Sequence, residues 1–193
     1  MSKSEVQRPD ASPMPRSASR EDGFAALDEC HRRVLARVDE LSGLVAAVEA
    51  GEINPAMRTL AASIAQFLSN DARRHHEDEE RHVFPPLLAS ANAELVDIVM
   101  RLQQDHSWIE EDWFELESHV QAIATGYGTC DIDTLREGTA ILAALYKEHI
   151  ALEESIVYPE ARARIGAAGL DAMGREMIAR RRTERARRRT GSA

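Results

Sequence analysis

Between Glu21 and Pro159 the apolar residues recur every three or four positions in four stretches, separated by glycine- or proline-containing breaks. Few folds accommodate that pattern. Each stretch is about 28 residues, a rod of roughly 40 Å, and no window alternates apolar and polar residues as a half-buried strand requires. The first rod is expected from about Glu21 to Ala50. Its stripe is Leu27, Val34, Leu35, Val38, Leu41, Val45 and Val48, with Gly51 just past its end. The second opens at Asn54-Pro55, a capping side chain followed by proline at the first helical position, and should run to about Val83, before Pro85 and Pro86. The third spans about Asn92 to Ala124. The fourth starts near Asp131 or Asp133 and ends before Pro159, and a weaker helix is expected over residues 168–189. Four amphipathic rods with short connections predict an all-α, up-down-up-down four-helix bundle. The expected division is a leader over 1–20, the bundle over 21–165 and a basic C-terminal helix or tail over 166–193.

At 193 residues and 44% hydrophobic content the chain can bury a core. It has no run of eighteen apolar residues, so no membrane span or membrane partner is expected. The Ser- and Pro-rich N-terminus lacks a signal-peptide core and reads as a disordered leader on a cytoplasmic protein. Cys30 and Cys130 are expected as reduced thiols. The net charge of −9 is uneven: residues 175–193 hold eight arginines against two glutamates. No aromatic residues interleave these arginines to stack on bases, so a nucleic-acid role is disfavoured. The tail reads instead as a solvated, fraying helix able to fold back on the acidic body.

Residues 75–85 read HHEDEERHVFP and residues 149–159 read HIALEESIVYP, and the two align without a gap. His75 falls on His149, Glu79 on Glu153, Glu80 on Glu154, Val83 on Val157, Phe84 on Tyr158 and Pro85 on Pro159. In each copy a glutamate follows the histidine by four residues, one helical turn along the same face. Two further histidines, His31 and His106, lie on the first and third rods. Counted from the rod ends at one end of the bundle, His31, His106, His75 and His149 reach depths of roughly 15, 21, 14 and 14 Å. His149 shares its face with Leu142, Leu145, Leu152 and Ile156, His31 with Leu27, Val34, Leu35 and Val38, and His106 with Val99, Leu102, Ile109 and Trp113. His75 has a more polar flank, although Leu68 and Ala72 precede it. A lone His-x-x-x-Glu is ordinarily an exposed helix pair. Two copies joined by two core-facing histidines at one level point instead to metal ligands, since buried imidazoles without partners are costly. Imidazole and carboxylate together favour iron or manganese, with each histidine on one ion and each glutamate bridging both. Glu110, four residues after His106, is open as either a ligand or a simple partner. His82 is a weaker candidate, and His76 and His119 read as surface residues. Glu80 and Glu154 read as supporting or solvated groups, and Trp113 and Phe114 as core.

The stretches CHRRV, HHEDEERHVFP, QDHSWIEEDW and EHIALEESIVYP together resemble the hemerythrin-like (HHE cation-binding) family over about residues 22–160. That resemblance implies a four-helix bundle holding two non-heme iron ions, oxo- or carboxylate-bridged, that bind dioxygen or nitric oxide. It assigns His31 and His75 to one iron, His106 and His149 to the other, and Glu79 and Glu153 to the bridge. Where oxygen carriers of the family have a second histidine on the third helix this chain has Glu110, which puts reversible oxygen carriage in question. The ferritin-like alternative needs two Glu-x-x-His motifs, and only Glu79 with His82 qualifies. The expected role is binding a small ligand, or iron itself, for sensing, buffering or stress response. The alternatives are a di-iron enzyme acting on peroxide or nitric oxide, an iron donor for iron–sulfur repair, and a metal-free helical interaction protein. The leader has no cysteine of the kind the repair members carry, and no second catalytic motif decides whether the chain is an enzyme.

Overall fold

A computed structural model describes residues 22–190; the expected leader over 1–20 lies outside them. Helix α1 (Gly23–Glu49) starts where the Asp22 carboxylate accepts the Phe24 N–H. Helix α2 (Pro55–Gln66) starts where Asn54 accepts from Ala56 and Met57. It continues through a π-helical turn, Phe67–Ala72, into α3 (Arg73–His82). A short helix α4 (Pro85–Leu88) leads to α5 (Ala93–Thr125), capped by Asn92 and closed by Gly126 at φ 74°. Helix α6 (Ile132–Leu152), capped by Asp131, runs through a second π-helical turn, Glu153–Val157, into α7 (Tyr158–Thr190). Each cap supplies an acceptor to N–H groups that the first helical turn leaves unpaired.

Helices α1, α2–α3, α5 and α6 form the expected bundle, with α1 against α6 and α2, and α5 against α2 and α6. The fourth rod does not stop before Pro159. The missing N–H of Pro159 falls in the first turn of α7, where it costs little. Continuity breaks later, at Gly166 (φ 66°, ψ 163°), a backbone conformation open to glycine. Beyond it the last arm of α7 turns back onto the bundle. Met173 and Met177 are buried there, and Gly23 has no Cβ to collide with Met173. The tail is therefore a packed strap as far as Glu184 and not a solvated helix: Arg180 and Arg181 both bind the buried carboxylate of Asp78 on α3, and Glu184 lies 2.6 Å from Arg74. Phe114, expected in the core, is 78% exposed because it sits about 100° around α5 from the buried Trp113. Among the described residues no helix is long and apolar enough to cross a membrane.

The apolar core comes in two blocks. One gathers Val34, Val38, Leu41, Ile64, Leu68, Trp113, Leu116 and Leu142; the other gathers Phe24, Leu27, Phe84, Leu87, Val99, Leu102, Val157 and Met177. Between them every rod contributes polar residues: His31 follows Leu27, His106 follows Leu102, His75 and Glu79 follow Ala72, and His149 and Glu153 precede Val157. A dry shell on both sides strengthens every charge interaction within that layer.

Candidate metal centre

Glu79 and Glu153, each fully buried, face one another across the layer. The Oε1 of Glu79 lies 3.4 Å from His75 Nε2 and 3.8 Å from His31 Nε2, and its Oε2 lies 3.5 Å from His106 Nε2. Glu153 mirrors this, with Oε2 3.2 Å from His31 Nε2 and Oε1 3.2 Å from His149 Nε2 and 3.8 Å from His106 Nε2. Each carboxylate thus turns one oxygen toward each group of histidines. Ligand atoms of His31, His75, Glu79 and Glu153 all lie within 4.8 Å of one another, as do those of Glu79, His106, His149 and Glu153, and those of His76, His106 and His149. Many of these atoms have no hydrogen-bond partner although buried: both oxygens of Glu153, Oε2 of Glu79, Nε2 of His106 and of His149, and both nitrogens of His76. Orphaned acceptors packed this densely fit cations, which would satisfy them all at once.

The sequence profile of the Hemerythrin HHE cation binding domain matches residues 22–161. This chain belongs to the hemerythrin HHE cation-binding family. It is also 30% identical over 152 residues to an uncharacterized protein of Haemophilus influenzae, covering 79% of this chain and 86% of that one.

In this hemerythrin-like centre the outward ring nitrogens are held from outside. The Glu154 carboxylate lies 2.9 Å from His31 Nδ1, and Glu80 lies 2.9 Å from His106 Nδ1. Such contacts fix ring orientation and leave Nε2 pointing inward as a donor. The nearest such group to His149 is the Asp105 carboxylate on α5, 3.7 Å from its Nδ1, which is beyond hydrogen-bond distance. Sequence reasoning passed over it, although it adjoins His106 and is buried. Burial alone would lower His31, but Glu153 and Glu79 outweigh it and raise His31 to about 10. His106 is raised against burial by Glu153, Glu79 and Glu80. Burial and the Glu79 charge push Glu153 up, yet His149 and His106 outweigh them and hold it at about 2. Burial drives His75 down to about 4, and His76 is also lowered, by burial and then by His106. Burial would lower His149 too, but Glu153 and Asp105 outweigh it and raise that ring as well. The metal-free centre therefore favours charged carboxylates at Glu79 and Glu153 facing protonated rings at His31, His106 and His149.

Several residues fall elsewhere than the sequence suggested. His76, read as a surface residue, is 2% exposed and stacks on His106 with ring centroids 4.0 Å apart. Glu110 is not brought to the centre: it is about half exposed, 3.8 Å from Arg73, and the inward position beside His106 is taken by His76. His82 lies outside the cluster, 2.7 Å from Glu176 on α7, and His119 accepts the Asp131 N–H near the α5–α6 loop. Trp113 is buried and donates to Ser69 on the first π-helical turn. These placements separate two variants. Glu110→Ala should bind metal as the parent does, whereas His76→Ala should weaken metal binding beside His106 and His149 about tenfold or more. Competitive metal titration checks both, and equal losses in the two variants would contradict the assignment.

Proposed function

We propose that the chain binds two iron ions and uses them to hold a small ligand, dioxygen or nitric oxide, for sensing, buffering or stress response. One ion falls to His31 and His75, the other to His106 and His149 with His76, and Glu79 and Glu153 are shared. The observation that carries this reading is the pair of buried carboxylates, each with one oxygen toward each histidine group. Family membership supports a metal cation there, and the nitrogen-and-carboxylate donor set suits iron. When bound, the ions would supply redox electrons and an open coordination position. The residues do the rest. Glu79 and Glu153 set the spacing of the two sites, while Glu80 and Glu154 hold two of the rings. Leu27, Leu102 and Val157 exclude water from one side and Val34 and Ile109 from the other. A surface depression lined by Asp28, Arg32, Glu154, Tyr158, Pro159 and Arg162 shares Tyr158 and Glu154 with the His31 side, and so offers a short path for a small molecule.

Protein from iron-replete cells should carry about two irons per chain by elemental analysis. After anaerobic reduction, stopped-flow mixing with dioxygen, nitric oxide or peroxide should change its near-ultraviolet spectrum within the mixing series. A preparation with one zinc and no iron would sink the reading, and sustained peroxide consumption would move it to the enzyme alternative.

A further inference from the structure

The two halves of the centre repeat one another closely. The N–H of Phe84 reaches back five residues to the Glu79 carbonyl at 2.9 Å, and the N–H of Tyr158 does the same to the Glu153 carbonyl. The His106 ring stacks on Phe84 at 5.5 Å, and the His31 ring on Tyr158 at 5.3 Å. Two of the positions where the repeat fails face the centre, and they fall on different ions. His76 stands where the other half has Ile150, and it adds an imidazole beside His106 and His149. Tyr158 stands where the other half has Phe84, and it adds a hydroxyl beside His31.

That hydroxyl is buried, 3.1 Å from His31 Nε2 and 2.5 Å from Glu79 Oε1, to which it donates. Both atoms are offered to the same ion. Two ligand atoms at neighbouring corners of an octahedron with bonds of about 2.1 Å lie about 3 Å apart. The Tyr158 oxygen therefore already sits near the spacing of a third corner. We propose that Tyr158 is itself a ligand to the ion held by His31 and His75. On binding ferric iron its O–H bond breaks, an O–Fe bond forms, and the proton leaves through the depression that Tyr158 shares with Glu154. Iron keeps its oxidation state in that step. The two ions are then chemically unlike: one carries a phenolate, which as a hard oxygen donor favours the ferric state, and the other a third imidazole.

The proposal rests on the iron reading, and the test separates the two. The parent chain, Tyr158→Phe and Tyr146→Phe are loaded with iron and oxidised with ferricyanide. Iron content, visible absorption and resonance Raman spectra are then recorded for each. The parent should hold about two irons and show a visible phenolate-to-iron charge-transfer band with tyrosine ring modes. Tyr158→Phe should lose the band, with its iron content either kept or lowered to about one. Phe84 in the equivalent position shows that phenylalanine suits this turn. Tyr146, also buried but with its ring 6.2 Å from the His76 ring, should be dispensable for the band. Two irons in the parent without the band overturns the ligand and leaves the iron reading standing. A band that survives Tyr158→Phe, or vanishes in Tyr146→Phe, also overturns it. No iron in the parent overturns both.

Discussion

On the proposed two-iron reading, Glu153→Gln is expected to take bound iron from about two per chain to below one, as large a loss as any single substitution in the centre. The amide keeps the volume of the carboxylate, so the helix should pack as before. It carries no charge, however, and offers only one oxygen, while Glu153 faces His31 with one oxygen and His149 and His106 with the other. One change thus removes a donor from one ion and an anion from both. Glu79→Gln should behave alike. Glu80→Gln and Glu154→Gln act only through the Nδ1 atoms of His106 and His31, so they should cost about 10–100-fold in affinity and not abolish binding. Elemental analysis beside far-ultraviolet circular dichroism checks the series. A folded Glu153→Gln protein that still holds two irons would refute the shared role.

Metal removal should lower stability nearly as sharply. A ligand that binds only the folded chain adds about 4 kcal/mol at a thousandfold excess over its dissociation constant. For a chain of this size that corresponds to a shift of roughly 8–16 °C in thermal midpoint. The stripped protein should also respond to pH in two directions. Glu153 is held at about 2, below its ordinary 4.5, so its contribution is present above about 4.5 and is lost as pH falls toward 2. His31 is raised to about 10, above its ordinary 6.5, so its contribution is complete below about 6.5 and is lost as pH rises through 10. Metal-free protein should therefore weaken at alkaline pH as well as in acid. Loaded protein should not lose stability between pH 7 and 10 through His31, because a bound ion replaces that proton. Calorimetric scans of chelator-treated and loaded protein test this, and coincident midpoints would remove these residues from the ligand set.

Much of the fold was legible because its punctuation is local. Asn54, Asp131 and Gly126 act on the turn in which they sit, so the sequence places those helix ends within a few residues. The level shared by His31, His75, His106 and His149 was legible too, since rise per residue is a constant of the helix. What escaped depends on geometry that no residue type announces. His76 lies 100° around an ideal helix from His75, and reading one inward residue per turn sends it to solvent. A centre with two groups of ligands is wide enough for adjacent residues to face it together. Pro159 was expected to end a helix but instead falls just past a π-helical turn, in a first turn that does not need its N–H. Tyr158 was legible only as the partner of Phe84 in the repeat; that its hydroxyl reaches Glu79 depends on how the start of α7 lies against α3.

The π-helical turn at Phe67–Ala72 bears on which length changes the chain can absorb. Insertions and deletions are ordinarily tolerated in surface loops and rejected in helices, and a turn of this kind is one residue wider than its α-helical counterpart. Deleting one residue there would let the rod close into a continuous α-helix with every backbone bond restored, so the fold need not resist it. That deletion would also leave His75, His76 and Glu79 on nearly the same face, because the wider turn already absorbs one extra residue. A further one-residue insertion has no such turn to take it up and would rotate all three by about 100° relative to α2. Relatives that bind metal through these residues should therefore show no insertion between residues 67 and 79, and no gap there beyond one residue at the π-helical turn, while varying freely in length at residues 126–131.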